Sequence, residues 1–265
     1  MSYETIALEK SGFTATITFN RPEVFNAYSE KMSQELKAAL NEISGDDSVR
    51  VLLLKGAGGN FLAGADINML NAWSEVARSQ GSEEVKRILD GHFSPTMLEE
   101  LPIPVIALVD GMAWGMGSEI ALGADIRICT TRASFAQPEI NLGIITGGGA
   151  SQRLPRIVGT AKAMEMILTG KAISAQDADK WGLVSQIVEP DQLEEAGMKM
   201  AAAIAAKSPL MVRWAKECVQ LVRDRDLLSG IQKELTRFSE TFGTEDSAEG
   251  TRAFLEKRKP RFTGR

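Results

Sequence analysis

Val105-Ile-Ala-Leu-Val-Asp-Gly-Met-Ala-Trp-Gly-Met-Gly-Ser-Glu-Ile120 is the stretch that decides how this 265-residue chain is read. The run from Val105 to Val109 is a strand, and Pro102 and Pro104 keep its entry extended. The chain then turns at Gly111, and a helix opens near Gly115. The first amides of a helix have no partner within it and sit at the positive end of its dipole. They stabilise an anion, or a carbonyl oxygen that is becoming one. Glu119 falls about one turn into that helix, close enough to share the same space. Taken alone, the segment also reads as a plain strand–helix turn in which Gly115 and Gly117 allow tight packing.

Two further segments repeat these parts. Leu52-Leu-Leu-Lys-Gly-Ala-Gly-Gly-Asn-Phe-Leu-Ala-Gly-Ala-Asp66 runs from a strand through a glycine-rich loop to a helix that Asp66 can cap. A dinucleotide fingerprint would need glycine where Phe61 stands, and no phosphate-binding G-x-x-x-x-G-K-[ST] loop occurs anywhere, so nucleotide binding of either kind is set aside. Ala136-Gln-Pro-Glu139-Ile-Asn-Leu-Gly143 continues to Thr146-Gly-Gly-Gly149 and a helix. If buried, Glu139 holds its proton toward neutral pH and can donate it; exposed, it is an ordinary loop residue.

Working outward, residues 4–9 and 13–19 alternate around Ser11-Gly12 as a hairpin does. Met32, Leu36, Leu40 and Ile43 follow a cap at Ser29 with helical spacing. Val49 to Leu54 is a buried strand, helices follow over 66–79 and 83–99, and another strand spans Ile126 to Thr130. This alternation makes residues 1–190 an α/β unit with a substantial parallel component. Residues 191–265 carry helical periods over 191–207, 209–223, 227–242 and 245–257, a C-terminal region that packs on the core or on a neighbouring subunit.

Composition narrows the chemistry. A net charge of −5 argues against nucleic-acid or anionic-membrane binding, and against a protein kept only to bind RNA. No window reaches the ~18 apolar residues of a membrane span, and the N-terminus lacks a secretory pattern. Cys129 and Cys218 cannot build a disulfide framework and fit a reducing, cytoplasmic setting. His92 is the only histidine, so a Ser–His–acid triad would have to use it, and a histidine-based metal site has no second such ligand.

Several motifs, in this order and spacing, resemble the enoyl-CoA hydratase/isomerase (crotonase) superfamily over nearly the full chain, and most of all its two-glutamate hydratases. They are Asn20-Arg-Pro22 with Asn26-Ala27, Phe61-Leu-Ala-Gly-Ala-Asp-Ile67, Gly115-Met-Gly-Ser-Glu119 and Phe135-Ala-Gln-Pro-Glu-Ile140. Gln152-Arg-Leu-Pro155, Ala161-Lys-Ala-Met-Glu-Met-Ile-Leu-Thr-Gly170, Gly182-Leu-Val184 and Phe254-Leu-Glu-Lys-Arg-Lys259 complete the set.

The resemblance implies a crotonase-like spiral of repeated ββα units over 1–190, and C-terminal helices over 191–265 that assemble homotrimers or homohexamers. It implies an acyl-CoA thioester substrate whose enolate oxygen is held by the Ala65 and Met116 amides. Glu119 would hold and deprotonate water, and Glu139 would deliver a proton to the alpha carbon; isomerase relatives commonly keep only one of these acids. Ala63, Asp66 and Ile67 match the stretch around the adenine ring, Lys257 the lysine near the adenosine end, and Gly147 and Trp114 join the substrate-binding set. No metal or other cofactor is implied, since coenzyme A arrives with the substrate.

Three features depart from the family pattern. Met116 replaces a common glycine, Thr146-Gly-Gly-Gly149-Ala150 replaces a proline–glycine run, and residues 66–103 are longer than in short-chain members. Trp73 and Trp114 are candidates to line an enlarged acyl pocket.

Overall fold

The computed structural model of the protein describes residues 3–265. The hairpin is present: β1 (Ile6–Ser11) pairs antiparallel with β2 (Thr14–Phe19), with Ser11 opposite Thr14. α1 (Glu30–Ser44) starts where the Ser29 hydroxyl accepts the Met32 N–H, and it buries Met32, Leu36, Leu40 and Ile43 along one face. β3 (Val51–Gly56) leads through the glycine loop to α2 (Ile67–Gln80), capped by Asp66, which accepts the Asn68 N–H at 3.0 Å.

The single helix expected over 83–99 is two helices, α3 (Ser82–Asp90) and α4 (Thr96–Glu100). Gly91 ends the first, and Pro95 breaks the path between them because it has no N–H to donate and disfavours a helical residue before it.

The chain continues as β4 (Val105–Val109), β5 (Met112–Trp114), α5 (Met116–Gly123), β6 (Ile126–Thr130) and β7 (Ser134–Ala136). Then come α6 (Ala150–Val158), α7 (Thr160–Thr169), β8 (Ile173–Ser174), α8 (Ala175–Lys180) and β9 (Gln186–Val188). The large sheet has the order β1-β2-β3-β4-β6-β9, parallel throughout except for the β1–β2 hairpin.

A second, small sheet, β5-β7-β8, was not visible in the sequence, because strands of two or three residues are too short to show a period of two. Single bridges extend it: Leu62 pairs with Ala113, and Tyr28 with Ala65. Each turn of the chain therefore runs a strand in the large sheet, a short segment in the small one, and a helix. That is the repeated ββα spiral.

Both faces of the large sheet are buried, as parallel sheets require. Leu52, Leu54, Val105, Ala107 and Val109 face the inner helices. Their neighbours Val51, Leu53, Ile106, Leu108 and Ile128 pack outward under Leu193, Ala201 and Ala205 of α9 (Leu193–Ala205). α10 (Pro209–Gln220), α11 (Leu227–Thr241) and α12 (Glu245–Leu255) follow, close to the expected helical spans. α11 buries no residue, and Leu227, Leu228, Phe238 and Phe242 stand exposed with Phe254 and Leu255. Among the described residues no helix is long and apolar enough to cross a membrane.

The Asn20-Arg-Pro22…Asn26 motif holds the glycine loop. Asn26 is fully buried with a left-handed φ of 60°; its side-chain Oδ1 accepts the Arg21 N–H, and its Nδ2 donates to the carbonyls of Ala57 and Asn60. Asn26→Ala leaves those groups unpaired and puts a Cβ residue without a local hydrogen bond in a left-handed site. The expected loss is about 2–4 kcal/mol of stability, read by chemical denaturation; a loss under 1 kcal/mol would refute this role.

Candidate active site

The site is built where two strand–turn–helix units meet. β5 ends at Trp114, and Gly115 takes φ 49° to redirect the chain into α5. A Cβ on Gly115 would lie 3.5 Å from Gly64 Cα and 3.2 Å from Glu139 Oε1, and one on Gly117 would lie only 2.0 Å from the Leu62 carbonyl oxygen. Only glycine lets these two backbones touch. The contact brings the Phe61–Asp66 turn and the first turn of α5 together.

Around Ala65 the amides are spoken for: Ala63 N–H donates to Phe25 O, and Asp66 N–H to Tyr28 O. Trp114 N–H donates to Leu62 O, and Gly115 N–H to Ala136 O. Among the described residues, the Ala65 and Met116 N–H groups donate to no protein acceptor. Met116 is the first residue of its helix, so its amide also carries the positive end of the dipole. Its side chain packs on the core, half-buried.

Glu119 projects from the same turn and is 2% exposed. Its Oε1 accepts the Gly148 N–H at 2.7 Å and the Ala150 N–H at 3.1 Å. Burial pushes its carboxyl up, opposed by those amides and by the Arg153 guanidinium. Glu139 lies in the 3-10 turn Pro138–Leu142, and its Oε2 is buried with no hydrogen-bond partner. Burial pushes this carboxyl up to about 7, and the charge of Glu119 adds to the shift. The two carboxyls therefore differ: Glu119 is offered two backbone donors from the facing loop, which favour a carboxylate, while Glu139 Oε2 has no partner, which favours the protonated form.

The remaining expected residues are placed as follows. Asp66 caps α2 and pairs with Arg21, its oxygen 3.3 Å from Nη2. The amides of Ala63 and Asp66 are occupied and the Asp66 carbonyl accepts the Leu70 N–H, so among the described residues the Ala63 carbonyl is the one left without a backbone partner there. Ile67 is exposed on the first turn of α2. Trp114 is half-buried, and its indole N–H donates to Ser134 Oγ at 3.0 Å. Trp73 packs instead against His92, with ring centroids 5.4 Å apart.

Gly147 is exposed and touches neither glutamate, whereas its neighbours Gly148 and Ala150 hold Glu119. Those two amides escaped the sequence, although the glycine run that supplies them was evident. Lys257 is exposed at a left-handed φ of 53°, on the C-terminal segment, with no ion pair among the described residues. Within one chain nothing joins it to the glutamates. Among the described residues no three His, Cys, Asp or Glu side chains are grouped to hold a metal ion.

Residues 9–265 match the family model for enoyl-CoA hydratase/isomerase. A probable enoyl-CoA hydratase of Rhizobium meliloti is 40% identical over 270 residues, covering 100% of each chain. The short-chain-enoyl-CoA hydratase of Clostridium acetobutylicum is 38% identical, covering 98% of this chain and 97% of its own. The crystal structure of an enoyl-CoA hydratase from Bacillus anthracis superposes with a TM-score of 0.89 at 36% identity, over 99% of this chain and 100% of that one.

The raised Glu139 carboxyl has a stability signature. Its ordinary value is 4.5 and its folded value about 7, so below 4.5 both states hold the proton and nothing is lost. Between these values the unfolded chain ionises first and stability falls as pH rises; above about 7 the full penalty applies. Glu139→Gln keeps the shape without the charge. It should melt higher than the wild type at pH 8, by roughly 2–4 °C per kcal/mol of relief, with a smaller gain at pH 5. An equal difference at both pH values would contradict the assignment.

Proposed function

The chain belongs to the enoyl-CoA hydratase/isomerase family, and we propose that it adds water reversibly across the 2,3 double bond of a 2-enoyl-CoA thioester to give a 3-hydroxyacyl-CoA. One observation carries this reading: two carboxyls in contrasting surroundings, Glu119 with donors and Glu139 without, beside two free backbone amides. A substrate carbonyl seated on the Ala65 and Met116 amides becomes an enolate as the beta carbon is attacked. Preorganised donors suit that developing charge, and loss of one such donor typically costs ~100–1,000-fold in rate.

Glu119, as the carboxylate, holds the attacking water and takes its proton as the oxygen bonds to the beta carbon. Glu139, protonated, supplies the hydrogen that the alpha carbon gains. Water's two parts are thus added, and proton exchange resets the pair. An isomerase needs only one group to move a proton between two carbons, so retention of both acids favours hydration. The relatives named short-chain-enoyl-CoA hydratase and crotonyl-CoA hydratase support the same choice.

The finer parts of the proposal rest on the surface. Exposed Leu227, Leu228, Phe238, Phe242, Phe254 and Leu255 suit burial between copies in a homotrimer or homohexamer. Lys257 is a candidate for the anionic end of coenzyme A, within its own subunit or across an interface. The Ala63 carbonyl, with Asp66 and Ile67 beside it, suits a planar base that offers donors. No metal or further cofactor is called for, and two unpaired cysteines fit a cytoplasmic setting.

Incubation with crotonyl-CoA should abolish the absorbance of the conjugated thioester. Glu119→Gln and Glu139→Gln should each lower kcat by about 100- to 10,000-fold. Full activity in either single variant, with 3-enoyl-CoA shifted to 2-enoyl-CoA and no water incorporated, would establish an isomerase instead. Hydration kcat/KM should fall as pH rises through about 7, where Glu139 gives up its proton. A profile flat from pH 6 to 9 would remove Glu139 from the donor role.

A further inference from the structure

We infer that Arg153, clamped by Glu99, is a positioning residue that holds the Gly148–Ala150 loop in the orientation needed to keep Glu119 aimed and ionised; this rests on the hydratase reading above. Arg153 Nη1 donates to the Gly148 carbonyl at 2.8 Å, and the other end of that residue, its N–H, donates to Glu119 Oε1 at 2.7 Å. Both bonds are made by one residue, so the guanidinium anchors the peptide that lies between the two amides, of Gly148 and Ala150, that hold the carboxylate. The approach is close: a Cβ on Gly148 would lie 2.5 Å from Glu119 Oε2, and one on Gly149 would lie 2.1 Å from Arg153 Nη1. A side chain at either position would collide with Glu119 or with Arg153.

Arg153 is itself held as a fork. Its Nε and Nη2 each lie 2.8 Å from the two Glu99 oxygens, and Nη2 also donates to Thr96 Oγ1 at 2.8 Å. Both charged side chains are about 15% exposed, at 14% and 15%, so solvent screens the pair far less than a surface one. The ion pair joins α4 to α6, and α5, which carries Glu119, packs against both. Arg223, in the turn after α10, makes a second ion pair with Glu99. Lys216 of α10 pairs with Asp125 at 2.8 Å, and Gln220 donates to the Glu99 carbonyl at 3.1 Å.

The charged groups around Glu119 and its helix are thus Arg153 from α6, Glu99 from α4, Arg223 beyond it, the Lys216–Asp125 pair behind, Arg127 of β6 on the Ala121 carbonyl, and Glu139 from the facing turn. Of these, Arg153 is the cation whose charge acts on Glu119. A lysine cannot reproduce the fork that engages Glu99 and Gly148 together. The role is separable from simple bracing, because bracing is indifferent to the sign of charge, whereas the ionisation of Glu119 is not.

The decisive measurement is titration of the Glu119 carboxyl by carbon-13 NMR in glutamate-labelled protein, its signal assigned by loss in Glu119→Gln. In Arg153→Met the carboxyl should titrate about half a unit or more higher, since a nearby cation has gone. In Glu99→Gln it should titrate lower, because Arg153 keeps a hydrogen-bond partner but loses its neutralising charge. Steady-state assays with crotonyl-CoA should show kcat down about tenfold or more in Arg153→Met with KM within about threefold, and partial recovery in Arg153→Lys.

Shifts of the same sign in both variants, or no shift in either, would overturn the inference, as would a loss confined to KM. The NMR arms stand whether or not the protein hydrates crotonyl-CoA, so failure of the functional reading is seen separately as an inactive wild type. If Arg153→Met does not fold, Glu99→Gln still decides the sign of the shift, and a normal kcat in Arg153→Lys would overturn the need for the fork.

Discussion

Everything in the site depends on one backbone contact, the seating of Gly117 against the Leu62 carbonyl with Gly115 beside Gly64. Two turns that are 50 residues apart in sequence meet there without intervening side chains. Their neighbouring amides are consumed by ladder and bridge bonds, which hold the peptide planes fixed while two N–H groups stay free. An amide that is held but unpaired costs no reorganisation when charge appears opposite it, and that is the physical basis of its catalytic worth. The small cross sheet is what supplies this rigidity. Leu62, Ala113 and Phe135 are linked side by side in it, so the proposed oxyanion site rests on hydrogen-bonded strand rather than on a loose loop.

A second asymmetry follows from how each glutamate is delivered. Glu119 sits on a helix in the core and points at a glycine-rich loop whose amides turn toward it. Glu139 sits in a 3-10 turn that satisfies its own backbone and leaves one carboxyl oxygen buried and unpartnered. Desolvation raises both carboxyls; at Glu119 the amides of the facing loop oppose it, whereas Glu139 Oε2 has no hydrogen-bond partner. Two identical side chains therefore sit in unlike surroundings, which is the physical ground for giving them unlike protonation roles in the proposed reaction. The arrangement is destabilising when Glu139 ionises, and a core buried on both faces of a six-stranded sheet tolerates that cost.

How much of this was legible in the sequence varies with the range of the forces involved. Strands β3, β4 and β6, and helix α1 with its Ser29 cap, were legible because their apolar periods and cap are local. The break at Gly91 and Pro95 was written in the sequence too, but the helical period on either side masked it. The small sheet was not legible, since its two- and three-residue strands exist only through pairing with distant segments. Glu119, Glu139 and the two glycine turns stood out as residues, yet their juxtaposition did not; it came from motif resemblance and is realised by long-range backbone contact. The role of Gly148 over Gly147 was beyond reach, because adjacent glycines are distinguished only by which amide faces the carboxylate.

The C-terminal segment shows how a net-acidic protein can still present positive charge. The basic run after Phe254 looks like a free tail, but Asp246 accepts the N–H groups of Thr263 and Gly264, and its own N–H donates to the Arg265 carbonyl. That pins the chain end back onto α12. Arg258 is then drawn between Glu249 and Glu256, and the Arg261 N–H also donates to Glu249. Two acids are spent on one arginine, which leaves Lys257, at its left-handed turn, without a competing carboxylate. The folded tail therefore concentrates an uncompensated positive charge at a defined place next to exposed Phe254 and Leu255, rather than spreading it through solvent. A polyanion approaching that surface meets an unpaired lysine beside an apolar edge, a combination that net charge alone would not have suggested.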